Sequence, residues 1–517
     1  MTRGGSLLLV LGISSCPRPD ITDPVDAAGQ PPGHITILHT NDLHSHFLPA
    51  PAEWIDQRPA IGGFVRLDAE IDAIRLARGA STTLLIDGGD ILSGTPLSDV
   101  VADGAKGGAM VRFLEALDYD AWVIGNHEFD KGLDNLSALT AASDVPVLSA
   151  NLRATDGVAP LLPRQELSRI FTVNGVRVGV IGVTTDELAG LMNKTDFARL
   201  VLQEVGPAVK AQIAELDGST DLLVVLSHIG VDADMALARG VPGIDLIVGG
   251  HSHTRITEPR KVENTWIVQA GSYNRCLGVL DLVVENDALT SVRYELRDLL
   301  PGTIPGPPSP EVEALVAGYS AELDALYKVE VSTAPAALLR SSRGSSPLGR
   351  WATAMLRQAT GADVGLYNGS GLRAELDAGP VTTGDLFNVF PFGNEVVVGQ
   401  LTGDEVMGIV LGNSISEAFG KRSFMQISGV TWTWRMSRGA PEIVEAKVGG
   451  APLDPKKLYT VATNSFVAEQ WDRYLGAALR DARGLGYTDY DAAVTVAKTG
   501  PVKDSEEIPA TRLADGG

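Results

Sequence analysis

The chain has 517 residues, 44% of them hydrophobic and 21% charged, which excludes intrinsic disorder and exceeds what one ordinary core absorbs, so two domains are expected. Its formal charge of −22, with no basic stripe, excludes a nucleic-acid backbone as the main partner. A small anion can bind only where cations or a few arginines reverse the local field.

The N-terminus opens with Arg3, the apolar run SLLLVLGI and then Ser14-Ser15-Cys16. The run is shorter than the roughly 18 residues of a membrane span, which predicts a signal peptide over 1–16. Ile13-Ser14-Ser15-Cys16 is similar to a bacterial lipobox, where cleavage before the cysteine leaves a thiol for lipid attachment. A plain secretory signal and a misplaced start codon are the competing readings. Export to the periplasm or cell surface, with possible membrane attachment through a lipid on Cys16, is the expectation. Residues 17–32, rich in Pro, Asp and Gly, suit a flexible tether. Cys276 is the only other cysteine, so a lipidated chain has no internal disulfide available and a small buried thiol is expected there.

From residue 33 to 298 short apolar runs of strand length end abruptly in polar and glycine residues: ITIL before His39, TLLI before Asp87, AWVI before Gly125, DLLVVL before Ser227, IDLIVGG before His251. Helical stretches with three- and four-residue apolar spacing, such as FVRLDAEIDAIRLAR, lie between them. Continuous apolar strands alternating with helices predict an α/β layered domain. Ligands of such sheets collect outside the carboxyl ends of the strands, where this chain puts its polar clusters.

Those clusters are Asp42-x-His44, Gly89-Asp90, Gly125-Asn126-His127-Glu128, Ser227-His228 and Gly250-His251-Ser252-His253. Carboxylate with imidazole, and no cysteine, suits zinc, manganese or iron better than calcium. One histidine at a strand end is ordinarily a satisfied structural residue; five clusters in succession favour a metal site. The run HTNDLHSHF holds more candidates than one ion takes. His39, at the strand's edge, is expected as a hydrogen-bonding support or a packed core imidazole, and His46 as a residue lining the mouth of the site.

The order D-x-H, GD, GNH[DE], H, GHxH resembles the calcineurin-like metallophosphoesterases, and HTNDLHSHF with GNHEFD resembles their 5′-nucleotidase branch. That resemblance implies a layered metallophosphoesterase β-sandwich flanked by helices and two divalent metal ions such as zinc or manganese. Asp42, His44 and His253 would hold one ion and Asn126, His228 and His251 the other, with Asp90 bridging; related enzymes often carry Gln or Asn in place of His253. Two ions about 3.5–4 Å apart clamp the attacking and leaving oxygens of an in-line displacement and acidify a shared water. His127 would stabilise charge on the phosphoryl group or leaving oxygen, with Asp130 orienting the imidazole and keeping it protonated.

Leu299 to Pro310 is a proline-rich break, followed by the helical period of EVEALVAGYSAELDAL, so 299–328 reads as a linker whose helix bridges two domains and suits a hinge. Residues 329–512 form a second, smaller α/β (α+β) substrate-binding domain, with PLGRWATAMLRQAT as a helix and TWTW and YTVAT as strands. All 8 histidines lie at or before His253, so imidazole chemistry belongs to the first domain. YNGSGLR, FPFGNEV and ATNSFVAEQWD are similar, in order, to the nucleotidase C-terminal domain. The likeness implies that Asn368 and Arg373 contact substrate, with Arg373 at the phosphate, that Phe392 and Phe466 sandwich a base, and that Asp472 accepts from ribose hydroxyls. Stacking is tolerant of base identity. Arg343, with Arg340 as the alternative, would be the upstream arginine. Where related chains carry a glycine pair before the aspartate, this one has Gln470-Trp471-Asp472-Arg473, and Trp and Arg tolerate glycine-type backbone angles poorly.

The function implied is removal of the 5′-phosphate from nucleotides by hydroxide attack at an exported dinuclear centre, with a small-molecule nucleotide as the partner, no nucleic acid and no protein partner. Hydrolysis of UDP-sugars or of 2′,3′-cyclic nucleotides, with 3′-nucleotidase activity, is the alternative inside the family. A non-catalytic nucleotide-binding surface protein is the alternative outside it.

Overall fold

The run His34–Thr40 is buried along nearly its whole length because it lies in mid-sheet with both faces covered. It pairs in parallel with Thr83–Asp87, which sets Thr40 opposite Asp87, and antiparallel with Cys276–Glu285, which sets His39 opposite Gly278. A computed structural model describes residues 31–514 apart from 53, 303, 304, 421–423, 506 and 507. The expected signal peptide with Cys16, and the tether as far as residue 30, lie outside the described residues.

In the first domain a seven-stranded sheet runs in the order Gln165–Glu166, Val147–Leu148, Ala121–Val123, Thr83–Asp87, His34–Thr40, Cys276–Glu285, Ala288–Asp298. A six-stranded sheet faces it, in the order Ser168–Val173, Val176–Thr184, Leu222–His228, Leu246–Val248, Thr265–Val268, Arg260–Val262. Side chains alternate along each strand and so feed two layers. Ile35 and Ile37 join Val178, Val180, Val224 and Leu246 in the core between the sheets, while Leu38 points outward to Phe64 and Phe113 under the helices Phe64–Arg78 and Gly108–Ala116. Ile181, Val183 and Val225 face the helices Val205–Leu216 and Val231–Gly240 on the other flank. The domain is thus a sandwich of two sheets flanked by helices.

The proline break ends in a helix, Pro310–Tyr327, capped by Ser309, whose hydroxyl accepts from Val312 N at 3.1 Å. Val312, Tyr319 and Leu323 pack into the same outer core as Phe64 and Phe113, and the Ser309 amide donates to Asp68 Oδ2 at 2.6 Å. Most of the helix expected to bridge the domains is therefore built into the first. Only its last turn reaches the second, where the Tyr327 ring meets Phe387 at 5.4 Å and Tyr490 at 6.5 Å.

The second domain centres on a five-stranded sheet in the order Met425–Ser428, Val364–Asn368, Leu458–Asn464, Glu395–Thr402, Arg480–Thr488. Helices Pro347–Thr360 and Asp489–Ala497 cover one face through Trp351, Met355 and Ala493. Helix Gly403–Phe419 and a four-stranded sheet carrying Trp432 and Trp434 cover the other.

His39 is fully buried, and among the described residues neither of its ring nitrogens has a hydrogen-bond partner. Burial pushes its pKa down to about 3, so it is a neutral packed imidazole, stacked on Tyr294 at 5.9 Å. Gly278 makes the room, since a Cβ there would fall 1.9 Å from His39 Nε2. Gly278→Ala should destabilise the fold by about 1–3 kcal/mol, read as a lower urea midpoint of the first transition. His39→Ala/Gly278→Ala should cost less than the two single effects summed. An unchanged midpoint in Gly278→Ala would contradict this packing.

Candidate active site

The strand ends deliver their polar residues to one place because the loops that follow are laced together by main-chain hydrogen bonds. Asp42 N donates to Gly89 O at 2.8 Å, His44 N to Asp90 O at 2.9 Å and Ser45 N to Ile91 O at 2.8 Å. Five of the expected metal-holding residues sit in the left-handed backbone region: Asp42 (φ 51°), His44 (48°), Asp90 (56°), His251 (72°) and His253 (53°). Each such conformation costs a non-glycine residue of order 1 kcal/mol or more and persists only when its surroundings over-determine it. Gly88 and Gly250 let the two sheets' loops touch, since a Cβ on Gly250 would come 2.4 Å from Gly88 O and 2.8 Å from His228 Nδ1.

The donor atoms converge, with His44 Nε2 3.0 Å from His253 Nε2. Asp90 Oδ2 lies 3.0 Å from His228 Nε2 and 3.9 Å from His44 Nε2, between the two imidazoles. Asp42 Oδ1 is 3.4 Å from His253 Nε2 and 4.0 Å from His44 Nε2. Asp42–His44–His253 and Asp90–His228–His251 each bring one donor per residue within 4.8 Å of the others, and His44–Asp90–His127 forms a third such group. His228 Nδ1 donates to Gly88 O at 2.6 Å and His44 Nδ1 faces Leu92 O and Ser93 O at 3.2 Å, which leaves both Nε2 atoms as lone pairs when the rings are neutral. Among the described residues buried Asn126 Oδ1 has no hydrogen-bond partner, and His228 Nε2 faces only Asp90. Nitrogen and oxygen donors aimed at shared points fit divalent cations of the zinc or manganese type.

Burial pushes the Asp42 carboxyl up to about 8, further raised by Asp90 and opposed by His228. Burial disfavours the charged His228 imidazole too, but Asp90 outweighs it and lifts the pKa to about 10. Desolvation likewise works against Asp90, yet His228 and His127 hold it well below the usual carboxylate range. Burial drives His251 down to about 4 and His253 to about 3.

His127 joins this cluster from the turn His127–Lys131. Its Nδ1 pairs with Asp130 Oδ2 at 2.7 Å, and that oxygen also accepts from Ser93 Oγ at 2.5 Å. Desolvation opposes the imidazolium, but Asp130 and Asp90 outweigh it and raise the His127 pKa above its ordinary value. Glu128 is not a ligand. Fully buried, it accepts from the amides of Gly125 (2.7 Å), Asp90 (3.1 Å) and Leu92 (3.2 Å) and so ties two ligand loops together. Asn41 does the same for a third loop, donating to Asp42 Oδ2 at 2.6 Å and accepting from Ala270 N at 2.7 Å. The sequence shows both inside matched motifs, but only as neighbours of the ligands.

A cleft of 790 Å³ opens over the cluster, lined by His44, His127 and His253 from the first domain and by Arg340, Arg373 and Phe392 from the second. Phe392 lies parallel to the His127 ring at 5.5 Å, and the Arg373 guanidinium sits 5.7 Å from the Phe392 centroid. His46 lines the mouth against Tyr273 at 4.4 Å, and burial lowers its pKa to about 3. Of the two candidate arginines Arg340 faces this cleft; Arg343 is outside its lining, its amide donating to Ser341 Oγ at 3.2 Å. Asn368 is buried, its Oδ1 accepting from Asn464 Nδ2 at 3.3 Å. Phe466 packs on Tyr474 at 5.9 Å and is outside the lining of this cleft. Asp472 is engaged by Lys194 Nζ at 2.6 Å, away from the cleft lining.

Below about 8 Asp42 keeps its proton and below about 10 His228 keeps its own, so at neutral pH a cation must displace protons to bind. Apparent affinity for zinc or manganese should rise between roughly pH 6 and pH 8. Titration calorimetry in buffers of different ionisation enthalpy should show proton release, and a buffer-independent heat would rule this out.

Residues 35–255 match the calcineurin-like phosphoesterase model and residues 325–478 the 5′-nucleotidase C-terminal domain model. The trifunctional nucleotide phosphoesterase protein YfkN of Bacillus subtilis is 26% identical over 88% of this chain, which spans 33% of that protein's length. Silent protein UshA(0) of Salmonella typhimurium is 28% identical over 85% of this chain and 86% of its own. The crystal structure of a 5′-nucleotidase precursor from Thermus thermophilus superposes with a TM-score of 0.80 at 28% identity, covering 93% of this chain and 99% of that one. The carboxylate–imidazole cluster and most of the second domain thus fall inside two matched models, and the chain belongs to the 5′-nucleotidase family of hydrolases.

Proposed function

We propose that the protein removes the 5′-phosphate from nucleotides, with two divalent cations held by Asp42, His44 and His253 and by Asn126, His228 and His251, and with Asp90 between them. The observation that carries this reading is the meeting of His127, bound to Asp130, with Arg373 and Phe392 of the second domain over the carboxylate–imidazole cluster. Bound cations would supply positive charge for the phosphoryl oxygens and make an attacking water acidic near neutral pH. The side chains do the rest. Arg373 offers a planar fork of donors to phosphoryl oxygens. His127, kept protonated by Asp130, donates to charge developing on the phosphoryl group or the leaving oxygen. Phe392 presents an aromatic face to the base, and Arg340 adds positive charge along the same wall.

The names of the relatives support a nucleotide phosphoester as substrate: a trifunctional nucleotide phosphoesterase in one case and a 5′-nucleotidase precursor in the other. The signal-like N-terminus supports export, which the mass of the mature chain checks. Among the described residues no helix is long and apolar enough to cross a membrane.

Chain refilled with manganese or zinc after chelation should release phosphate from AMP faster than it cleaves UDP-glucose or 2′,3′-cyclic AMP in the same assay. Preferential cleavage of either alternative would replace the reading, and no release from any of the three would end it.

His127→Ala should keep nucleotide binding while lowering kcat by roughly a hundred- to ten-thousand-fold, and unchanged turnover would contradict its role. Asp130→Asn removes the carboxylate that raises the His127 pKa. The fall of activity with rising pH, where His127 loses its proton, should then move to lower pH. A limb that stays in place would show that another group sets it.

A further inference from the structure

The segment Gln470–Arg473 replaces the expected glycine pair, and its side chains reach across to the first domain. Gln470 is only 3% exposed, and its amide donates to Ala189 O at 3.2 Å and to Met192 O at 3.0 Å. Arg473 Nη1 donates to Gly190 O at 2.9 Å, a close fit because a Cβ on Gly190 would come 2.8 Å from that nitrogen. Lys194 completes the seam. Its amide donates to Glu469 Oε2 at 3.2 Å, and its Nζ pairs with Asp472 Oδ1 at 2.6 Å and lies 5.7 Å from the Trp471 ring. Every contact joins 189–194 of the first domain to 469–473 of the second.

These contacts differ in weight. Lys194 and Asp472 have side chains 43% and 58% exposed, so water and salt screen their pair. The Gln470 amide is buried, and breaking its bonds would strand polar atoms, which makes Gln470 the firmest member and the exposed Arg473 bond its support. Glycines at 470 and 471 would offer no side chain to this seam. Its cost falls on nucleoside recognition: the Asp472 carboxylate is occupied by Lys194, and Phe466, one turn upstream, packs on Tyr474.

We propose that Gln470–Arg473 is an interdomain clasp that holds Arg373 and Phe392 over the catalytic cluster and takes Asp472 out of sugar recognition. The enzyme then reads the phosphate and an aromatic base face but not the ribose hydroxyls. The sugar statement rests on the nucleotidase reading above; the clasp does not.

Two measurements separate them. With Cys16 replaced by Ser, spin labels on Ser219→Cys and Lys456→Cys, both exposed and one in each domain, report the interdomain distance while Cys276 stays buried. The wild-type clasp should give one narrow distance distribution, and Gln470→Ala/Arg473→Ala should add a second distance. An unchanged distribution in a folded double variant overturns the clasp whether or not any nucleotide is hydrolysed.

For the sugar, kcat/KM is compared for AMP and for its 2′,3′-dideoxy analogue. A site that hydrogen-bonds a hydroxyl rejects the analogue lacking it by orders of magnitude, so a wild-type ratio within about threefold of one is expected. Lys194→Ala, which frees Asp472 and leaves the Gln470 amide in place, should raise that ratio severalfold. A larger wild-type preference for AMP, or a ratio that Lys194→Ala does not move, overturns the sugar statement. Failure to hydrolyse AMP at all falls on the nucleotidase reading instead.

Discussion

A carboxylate removed from water needs a compensating charge or a full set of hydrogen bonds, and Asp42 and Asp90, almost completely buried, depend on neighbouring imidazoles and on donors from Asn41, His251 N and His127 N. Everything at this end of the first domain answers to that constraint. Main-chain bonds lock the loops of the candidate metal-holding residues together, Glu128 fastens three of their amides, and five of those residues are held in the left-handed region. Such a site stores backbone strain, and the sandwich core beneath it supplies the rigidity that holds the side chains in place.

The second domain contributes the complementary half. The first domain lines the cleft with imidazoles and with Arg58, Arg255 and Arg275, while Arg340 and Arg373 enter from across it with further positive charge and Phe392 with an aromatic face. A protein of net charge −22 therefore meets an anionic substrate through a local reversal of field made at the boundary between two domains. The geometry of that boundary matters as much as the ligand set, because neither half places both the reacting group and its recognition elements.

What the sequence shows depends on how local each cause is. Strands such as His34–Thr40 and Leu222–His228 are legible because a buried strand is continuously apolar and stops abruptly at its polar end. Which of the two sheets a strand joins is not, since both bury both faces. The period of Pro310–Tyr327 announces a helix, but that Val312, Tyr319 and Leu323 belong to the first core depends on Phe113, some two hundred residues earlier. His39 shows the same limit. Its neutrality comes from burial, and the room for the ring comes from Gly278 and from its stacking partner Tyr294 on strands far along the chain. Arg340 and Arg343 are indistinguishable by composition and separate only once the fold aims the loop. Asp472 keeps its place in a recognisable motif, yet its partner is a lysine of the other domain.

The contact of Gly88 with Gly250 carries a mechanical meaning. The two loops belong to different sheets, and they meet backbone to backbone with no side chain between them to flex. Asp90 and His228 ride on opposite sides of this contact, so the gap between their donor atoms is gauged by the separation of the sheets themselves. The inter-sheet layer of Ile37, Val178 and Val224 thereby acts as a spacer for the catalytic centre. A methylene gained or lost there, far from any ligand, reaches the cluster as a change in bite.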